Sequence, residues 1–287
     1  MKTIGILGLG LIGGSLAKAY QAAGNNKEQF TVYGYDTDKF ISGLAALADD
    51  IQGILTPDNL ADCDIVLLAV HPTSAIEYLR QNADRFSKTG IVIDCCGVKE
   101  NICREGFALA EKHGFTFLGG HPMAGTHHSG YKAARADLFK GAPMVLVPPT
   151  FDDISLLQRA KELLLPVGFN RFTVMTAEEH DQRIAYTSQL AHVVSNAYVK
   201  SPTATVHQGC SAGSYRDMTR VAKLSPDLWT ELFLEDREPL LHELRFLISS
   251  LSAYEKALEE RDRDALYALL QEGNQRKLSI DGEEAES

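Results

Sequence analysis

Cysteine, tryptophan and long apolar runs are scarce in this chain of 287 residues, which has five cysteines and one tryptophan. Because the cysteines are odd in number and form no CxxC pair, a disulfide framework is not indicated, and we predict a reducing, cytoplasmic setting. The apolar stretch over residues 4–17 is interrupted by five glycines. It is also shorter than the roughly 20 apolar residues of a membrane helix, so no membrane segment is predicted.

Basic residues are also in deficit, with 28 Lys and Arg against 38 Asp and Glu, a net charge of −10. Nucleic acid is therefore disfavoured as a partner, because phosphate backbones are bound through basic patches. Residues 1–175 carry a net charge of −2 and residues 176–287 a net charge of −8. Four of the last seven residues are acidic, which predicts a solvated, flexible acidic tail over residues 281–287.

Glycine is unevenly distributed, and this predicts two domains. Of 23 glycines, 17 lie in residues 1–130 and only four lie beyond residue 175. The glycine-rich part alternates short apolar segments with segments of helical composition such as Leu11–Ala23 and Ile102–His113, which is typical of a parallel sheet with helices on both faces. The predicted strands are Thr3–Leu7, Thr31–Tyr35, Ile65–Val70, Ile91–Asp94, Thr116–Gly119, Met144–Val147 and Arg171–Val174. We therefore predict an α/β fold whose N-terminal domain, residues 1–175, is a Rossmann-type doubly wound, mostly parallel sheet.

The rest of the chain has helical periodicity. Apolar residues recur at three- and four-residue steps over residues 240–258, which predicts an amphipathic helix. A second helix is predicted over Ala177–Lys200 and ends before Ser201-Pro202, because the residue before a proline avoids the helical region. We predict an all-α C-terminal domain over residues 176–280.

A dinucleotide fingerprint follows the first predicted strand. Gly8-Leu9-Gly10-Leu11-Ile12-Gly13 stands between that strand and a predicted helix. In this pattern the first glycine permits a tight turn, the second lets a pyrophosphate approach the backbone, and the third lets the helix pack on the strand. The next strand leads to Asp36, whose carboxylate can accept hydrogen bonds from ribose hydroxyls and would repel a 2′-phosphate. The sequence therefore predicts NAD rather than NADP, the alternative being a structural glycine turn with an incidental aspartate.

Two polar loops follow later strands, at the sheet edge where doubly wound folds bind ligands. They are Asp94-Cys95-Cys96-Gly97-Val98-Lys99 and Gly120-His121-Pro122-Met123-Ala124-Gly125-Thr126. His121 is well placed to accept a proton beside a nicotinamide, because the ordinary pKa of histidine lies near working pH. From these residues alone, an ordinary turn histidine is an equal alternative.

Together these motifs carry a resemblance to a known family. The opening GLGLIGGSLA, the DCCGVK loop and GGHPMAGTHHSG resemble the prephenate and arogenate dehydrogenases of tyrosine biosynthesis. Further matches are His180-Asp181, Ser188–His192, Asp217–Ala222 and Trp229, so the resemblance spans about residues 3–275. It implies an oxidative decarboxylation in which NAD takes a hydride from the ring carbon that bears the hydroxyl, CO₂ leaves and the ring becomes aromatic. With prephenate as substrate, the product would be 4-hydroxyphenylpyruvate.

The resemblance also implies a set of site residues. His121 matches the catalytic histidine, and Arg220 matches an arginine that binds a substrate carboxylate through paired hydrogen bonds. The implied substrate-binding residues are Ser188, Gln189, His192, Gly213, Arg220, Thr126 and Trp229. The implied cofactor-binding residues are Gly8, Gly10, Leu11, Ile12, Gly13, Asp36, Val70 and Gly97. No metal is predicted for His121, His127 and His128, because no carboxylate or cysteine accompanies them at ligand spacing and hydride transfer to NAD needs no metal.

The chain departs from the family pattern at two positions. Many members carry a serine where this chain has Gly97, and that serine assists the catalytic histidine and the nicotinamide. In this chain either a water molecule or Cys96 replaces that hydroxyl, or the assistance is absent. Gln189 stands where several relatives have a histidine. The first departure concerns the catalytic histidine and the nicotinamide, and the second concerns a contact on the substrate side.

Other interpretations of single residues are structural. Without the resemblance, Arg220 would pair with Asp217 three residues earlier on the same helix. Trp229 would be a core residue, and His192 would be an interface histidine with satisfied hydrogen bonds. Cys96 and its neighbour Cys95 would be small core residues rather than redox groups.

Three alternative functions accompany the leading prediction of a prephenate dehydrogenase. An arogenate dehydrogenase differs only in the side chain of its substrate. A dinucleotide-sensing protein would keep the fold without turnover. A hydroxyacid or imine reductase would carry a catalytic Lys or Asp on the helix after the domain boundary, where this chain has Ser188, Gln189 and His192. A homodimer is expected, because the family's helical domain dimerises and the apolar stripe over residues 240–258 is long for a small domain.

Overall fold

The computed structural model describes residues 1–24, 30–126 and 128–282. His127 and residues 283–287, which are most of the predicted acidic tail, lie outside the described residues. Within the described ranges, no helix is long and apolar enough to cross a membrane.

An eight-stranded sheet has the order β3-β2-β1-β4-β5-β6-β7-β8. Its neighbouring strands are parallel except for β6 and β7, which are antiparallel. The sheet confirms the predicted Rossmann-type architecture, and the two-residue strand β3 is an addition to the seven predicted strands. The strand order reverses between β1 and β4, where doubly wound sheets bind ligands at the carboxyl ends. The strands are β1 (Lys2–Leu7), β2 (Phe30–Tyr35), β3 (Gly53–Ile54), β4 (Ile65–Leu68), β5 (Ile91–Asp94), β6 (Thr116–Pro122), β7 (Pro143–Val147) and β8 (Arg171–Val174).

Alternate residues of the central strands pack in two separate cores, one on each face of the sheet. Ile4 and Ile6 of β1 belong to one core, and Leu7 belongs to the other. In β4, Leu67 and Leu68 divide in the same way. Because both faces are covered, β4 is apolar at every position and β1 has no polar side chain from Ile4 to Leu7. The helices of this part are α1 (Leu11–Gly24), α2 (Lys39–Leu47), α3 (Pro72–Asn82), α4 (Glu100–His113) and α5 (Ile154–Leu164).

The helical part begins with α6 (Ala177–Ile184), which starts at a capping box. The Thr176 hydroxyl accepts a hydrogen bond from the Glu179 amide at 3.1 Å, and the Glu179 carboxylate accepts one from the Thr176 amide at 3.0 Å. The prediction of one regular helix over Ala177–Lys200 is wrong in detail. A π-helical segment, Ala185–Leu190, separates α6 from α7 (Ala191–Tyr198). Such wide turns occur often at functional sites, and this one carries Ser188 and Gln189.

The remaining helices are α8 (Gly213–Thr219), α9 (Pro226–Glu235), α10 (Arg237–Glu259) and α11 (Arg263–Asp281). The chain forms two compact units, Met1–Asp236 and Arg237–Ser287. In the second unit α10 contains the predicted amphipathic helix, and the Tyr254 hydroxyl donates to the Leu269 carbonyl oxygen of α11 at 3.3 Å. The functional boundary predicted near residue 175 stays a prediction.

The apolar stripe of α10 is only partly covered. Ile248, Leu251 and Leu258 each expose more than half of their surface. A contiguous exposed apolar patch of this kind is typical of an interface with another chain.

Candidate active site

The glycine fingerprint forms the turn from β1 into α1, and each glycine has its own steric reason. Gly8 has a left-handed backbone with φ of 85°, and a Cβ there would lie 2.5 Å from the Ala69 carbonyl oxygen. A Cβ on Gly13 would lie 1.8 Å from the Gly8 carbonyl oxygen, so only glycine lets α1 pack on β1. A Cβ on Gly10 would meet no atom of the described residues within 4 Å. The space beside Gly10, at the N-terminus of α1, therefore fits a pyrophosphate.

Asp36 lies at the carboxyl end of β2, next to the same turn. Its Oδ2 accepts a hydrogen bond from the Leu9 amide at 2.9 Å, and its Oδ1 accepts one from the Asp38 amide at 3.0 Å. These bonds hold a half-buried carboxylate at the crevice. Such a group suits ribose hydroxyls and repels a 2′-phosphate, so the donor and acceptor set fits NAD.

The other predicted cofactor residues lie along the same sheet edge. Leu11 and Ile12 open α1 and are half-buried. Val70 follows β4, and its Cγ1 lies 2.6 Å from the position that a Cβ would take on Gly8. Gly97 follows β5. Since β1, β4 and β5 are neighbours in the sheet, the structure brings the predicted cofactor residues to one edge, which we call the nucleotide edge.

His121 stands near the end of β6, and its ring contacts a second histidine. His121 Nδ1 lies 2.9 Å from His180 Nε2. His180 Nδ1 lies in turn 2.6 Å from Asp181 Oδ1. His180 and Asp181 are both buried in α6. We call His121, His180 and Asp181 the base relay.

The hydrogen bonds at Asp181 decide which nitrogens of the base relay carry protons. The carboxylate also accepts hydrogen bonds from the Lys99 and Glu100 amides, both at 2.8 Å. Because a carboxylate only accepts, His180 Nδ1 carries a proton and donates it to Asp181. A neutral His180 then accepts at Nε2 from His121 Nδ1. This assignment places the lone pair of His121 on Nε2.

Both histidines of the base relay are held neutral. Burial lowers the pKa of His121 well below its ordinary value, and His180 and Lys99 lower it further. Burial also lowers the pKa of His180, against the opposing hydrogen bond to Asp181. A neutral imidazole is the form that can accept a proton at neutral pH.

A buried ion pair supports the loops around the base relay. Lys99 Nζ contacts Asp94 Oδ2, and both side chains are fully buried. Asp94 also accepts hydrogen bonds from the Cys96 amide at 3.0 Å and the Gly120 amide at 3.1 Å, which joins the ends of β5 and β6. Burial alone would lower the pKa of Lys99, but Asp94 raises it overall, so the ammonium stays charged. Loss of either partner would leave an uncompensated buried charge.

On the helical side, His192, Trp229 and Arg220 lie together. The rings of His192 and Trp229 stack, with centroids 3.8 Å apart and planes inclined by 30°. His192 Nδ1 donates to the Ser188 carbonyl oxygen at 2.9 Å. Burial lowers the pKa of His192, and the nearby charge of Arg220 lowers it too. Arg220 is exposed, and among the described residues it forms no ion pair with Asp217.

Three predicted substrate residues have other surroundings. Gln189 is 1% exposed, and its amide lies beside the buried carboxyl of Asp236. Neither side chain has a hydrogen-bond partner of ordinary geometry within the described part of the chain. Gly213 begins α8 and is exposed. Thr126 is exposed, and its hydroxyl donates to the His128 carbonyl oxygen at 3.1 Å.

Comparison with known proteins identifies the family. The family model described as prephenate dehydrogenase, nucleotide-binding domain, matches residues 16–172. The model described as prephenate dehydrogenase, dimerization domain, matches residues 176–272. The chain belongs to the prephenate dehydrogenase family.

Relatives within the prephenate dehydrogenase family align with nearly the whole chain. The cyclohexadienyl dehydrogenase of Zymomonas mobilis is 31% identical over 97% of this chain and 96% of its own length. The structure of Synechocystis arogenate dehydrogenase has a TM-score of 0.79 at 26% identity and covers 97% of this chain and 99% of its own. The structure of A. aeolicus prephenate dehydrogenase in complex with hydroxyphenyl propionate and NAD⁺ has a TM-score of 0.81 at 26% identity and covers 98% of both chains. The resemblance drawn from the motifs is thereby confirmed.

The loop after β5 lacks the hydroxyl that the prephenate dehydrogenase pattern leads us to expect at position 97. A Cβ on Gly97 would lie 3.3 Å from Leu232 Cδ2, so a side chain there would be crowded. The buried thiol of Cys96 points to the Val70 carbonyl oxygen at 3.6 Å. Burial and the charge of Asp94 raise the pKa of this thiol well above its ordinary value. Cys96 is therefore a neutral thiol bound to the backbone and is not placed to replace the missing hydroxyl.

In the sequence, His180-Asp181 lie near the start of the predicted helix Ala177–Lys200, and no local pattern indicates a role for either residue. The pattern Thr176-x-x-Glu179 marks that helix start, directly after the sheet. Nothing in the local pattern indicates a contact with His121, which lies 59 residues before His180. The buried pair of Lys99 and Asp94 was likewise unassigned.

Proposed function

We propose that this protein is an NAD-dependent prephenate dehydrogenase of L-tyrosine biosynthesis, which converts prephenate to 4-hydroxyphenylpyruvate. The observation that carries the proposal is the contact of His121 with His180 and of His180 with Asp181, two strands from β4 on the same edge as the glycine turn. Relatives named prephenate dehydrogenase support this choice of substrate. Arogenate is the alternative substrate, supported by the similar Synechocystis enzyme.

Bound NAD would supply the hydride acceptor. The residues of the chain then have two tasks. Gly10 and Asp36 admit the pyrophosphate and the ribose at the nucleotide edge, which orients the nicotinamide. His121 accepts the proton of the ring hydroxyl as hydride leaves the same carbon, and Asp181, acting through His180, stabilises the positive charge that forms. The bond to the ring carboxylate then breaks, CO₂ departs, and its electron pair makes the ring aromatic. The phenolate oxygen formed in this step takes the proton back from His121, which is neutral again.

The substrate side of the proposal centres on Arg220. Arg220 has no ion-pair partner within the described ranges, and such a guanidinium can bind a carboxylate through two parallel hydrogen bonds. Because the chain has a net charge of −10, a doubly anionic substrate must be attracted by local groups rather than by the overall field. We propose that the stacked rings of His192 and Trp229 form one wall of the site, with Ser188, Gln189, Gly213 and Thr126 as the other substrate residues.

The decisive experiment follows reduced-cofactor formation with prephenate and arogenate side by side, each with NAD and with NADP. We expect turnover of prephenate with NAD. Preference for arogenate would favour the alternative substrate, and turnover of neither acid would contradict the proposed function. Preference for NADP would contradict the role of Asp36.

We also propose a cytoplasmic homodimer, with residues 1–175 binding the cofactor and residues 176–280 binding substrate and forming the dimer. The dimerization-domain match and the exposed Ile248, Leu251 and Leu258 support this assembly. Light scattering at micromolar protein is expected to give twice the chain mass. A monomer mass would contradict the proposed dimer.

A further inference from the structure

Helix α9 is joined to the nucleotide edge through Glu231. Its Oε1 accepts hydrogen bonds from the Thr73 amide at 2.9 Å and from the Thr73 hydroxyl at 2.7 Å. Its Oε2 lies 2.9 Å from His71 Nδ1. His71 and Thr73 stand at the start of α3, directly after Val70. One side chain therefore holds the segment that connects β4 to α3.

Residues of α9 that follow Glu231 contact the next loop along the nucleotide edge. Leu232 is buried and packs closely against Gly97 in the loop after β5. The Asn101 amide, at the start of α4, donates a hydrogen bond to the Glu235 carboxylate. Helix α9 is therefore bound to the loops that follow both β4 and β5, two of the strand ends that carry predicted cofactor residues.

The same helix carries the aromatic residue of the substrate side. Trp229 stacks on His192 and lies two residues before Glu231. The Phe233 ring, one turn further along α9, lies 5.4 Å from the Trp229 ring, centroid to centroid. Because a helix moves as a rigid element, a shift of the segment held by Glu231 is transmitted to Trp229.

The Glu231 carboxylate is suited to hold this segment. Burial raises its pKa, but the hydrogen bonds from Thr73 and His71 lower the pKa overall. The Thr73 amide belongs to the first turn of α3, where unpaired N–H groups and the helix dipole favour a negative charge. The carboxylate is therefore ionised at neutral pH.

We infer that Glu231 is a positioning residue that couples cofactor binding to substrate binding. The inference rests on the proposed function, because it takes the loop after β4 as a nucleotide contact and Trp229 as a wall of the substrate site. A nucleotide that orders His71 and Thr73 also orients Glu231, and with it Trp229. By linkage, each ligand then tightens the binding of the other by the same factor.

The test measures binding without turnover. The probe is hydroxyphenyl propionate, which carries a phenol ring and a carboxylate like the products of both candidate reactions, and its affinity is measured by calorimetry with and without saturating NAD⁺. For the unaltered protein we expect NAD⁺ to tighten probe binding about 10-fold, within the usual range for coupled sites. We call the fold by which NAD⁺ tightens probe binding the coupling factor. Glu231→Ala should reduce the coupling factor to about 2 or less, while each ligand alone binds within about threefold of its unaltered affinity. Glu231→Gln can still accept from Thr73 and should keep most of the factor.

Three further variants make the test specific. Asp227→Ala removes an exposed carboxylate from the same helix and should leave the factor unchanged. Thr73→Val removes one donor from the other side of the contact and should lower the factor, while the Glu231→Ala/Thr73→Val double variant should be no worse than Glu231→Ala alone. Thr73→Val also keeps the inference testable if Glu231→Ala does not fold.

The inference is overturned by a factor near 1 in the unaltered protein, or by an unchanged factor in Glu231→Ala and Thr73→Val. It is also overturned if Glu231→Ala weakens each ligand alone as much as it weakens the ternary complex, since Glu231 would then be merely structural. All these outcomes are independent of whether prephenate or arogenate is oxidised, so failure of this inference is distinguishable from failure of the proposed function.

Discussion

The nucleotide edge and the base relay lie at neighbouring strand ends but are specified in different ways. The edge depends on side chains that are absent, since a Cβ on Gly13 would lie 1.8 Å from a backbone oxygen. The relay depends on side chains that are present, since the ring of His121 contacts that of His180, which lies 59 residues away. The nucleotide edge therefore excludes added atoms at Gly8 and Gly13, whereas the base relay depends on its hydrogen bonds.

The largest effect is expected where the base relay meets the substrate. His121→Asn removes the proton acceptor and should lower kcat by about 10²- to 10⁴-fold, the usual contribution of a general base. The Kd for NAD should change by less than about threefold, because the nucleotide edge is untouched. Steady-state kinetics and calorimetry measure the two quantities. A kcat near that of the unaltered enzyme would remove His121 from the proposed mechanism.

A smaller loss is expected when the relay is broken at its far end. Asp181→Asn removes the carboxylate that sets the tautomer of His180, and kcat should fall by between about 10-fold and about 10⁴-fold. As a matched control, Asp217→Asn changes an exposed carboxylate near Arg220 and should leave kcat within about threefold. Equal kinetics for both variants would show that Asp181 does not act through His180.

The nucleotide edge is tested by a pair of glycine variants. Gly13→Ala places a methyl group 1.8 Å from the Gly8 carbonyl oxygen and should destabilise the fold by about 1–3 kcal/mol. Gly10→Ala meets no described protein atom within 4 Å and should leave the melting temperature nearly unchanged. It should weaken NAD binding about tenfold, or about 1.4 kcal/mol, because the added methyl group enters the space for the pyrophosphate. Thermal melts and NAD titrations of both variants measure the two effects. A large loss of stability in Gly10→Ala, with weaker NAD binding only in Gly13→Ala, would contradict the roles given to the two glycines.

The pH dependence of the reaction tests whether His121 is neutral at working pH. His121 must be neutral to accept a proton, so the rate falls as pH drops through its pKa. Burial, followed by His180 and Lys99, lowers that pKa. The acidic limb of kcat/KM is therefore expected below about pH 6.5, the ordinary pKa of histidine. A limb at or above that pH would contradict the neutral relay.

The smallest effect is expected at the buried carboxyl beside the relay. Burial, followed by the charges of Asp181 and Glu100, raises the pKa of Asp236 to about 8. The folded state therefore holds this proton more tightly than the unfolded chain, and its stability falls as pH rises from about 4 to about 8. Asp236→Asn should raise the melting temperature at pH 9 and leave it nearly unchanged at pH 4. An equal shift at both pH values would show that Asp236 does not titrate in this way.

Most of the fold could be predicted because its signals are local. Apolar runs and glycines placed seven strands, and the capping-box pattern of Thr176 and Glu179 marks the start of α6. The two-residue strand β3 has no periodicity to detect. The π-helical segment Ala185–Leu190 was missed because its composition is that of an ordinary helix, and a wide turn is selected by packing against other elements.

Some residues of the candidate site could likewise be predicted from local signals, and others could not. The spacing of the fingerprint was enough to assign Gly8, Gly10, Gly13 and Asp36, because each meets a steric or electrostatic requirement of the turn after β1 or β2. His121 could be nominated from its loop, but its protonation depends on His180, which no local pattern connects to it. The burial of Gln189 beside Asp236 could not be predicted from the sequence either, since burial is a property of the assembled fold.

The sheet, the glycine turn and the family follow from the sequence alone, because they depend on the shapes and the hydrophobic order of residues close together in the chain. The contact of His121 with Asp181 through His180, and the contact of Glu231 with the loop after β4, arise only in the folded chain. Those contacts join His121 to a residue 59 positions away and His71 to one 160 positions away. Hydrogen-bond partners at such separations are determined by how the helices and strand ends pack. The sequence around a hydrogen-bonding side chain does not indicate which distant group it will contact.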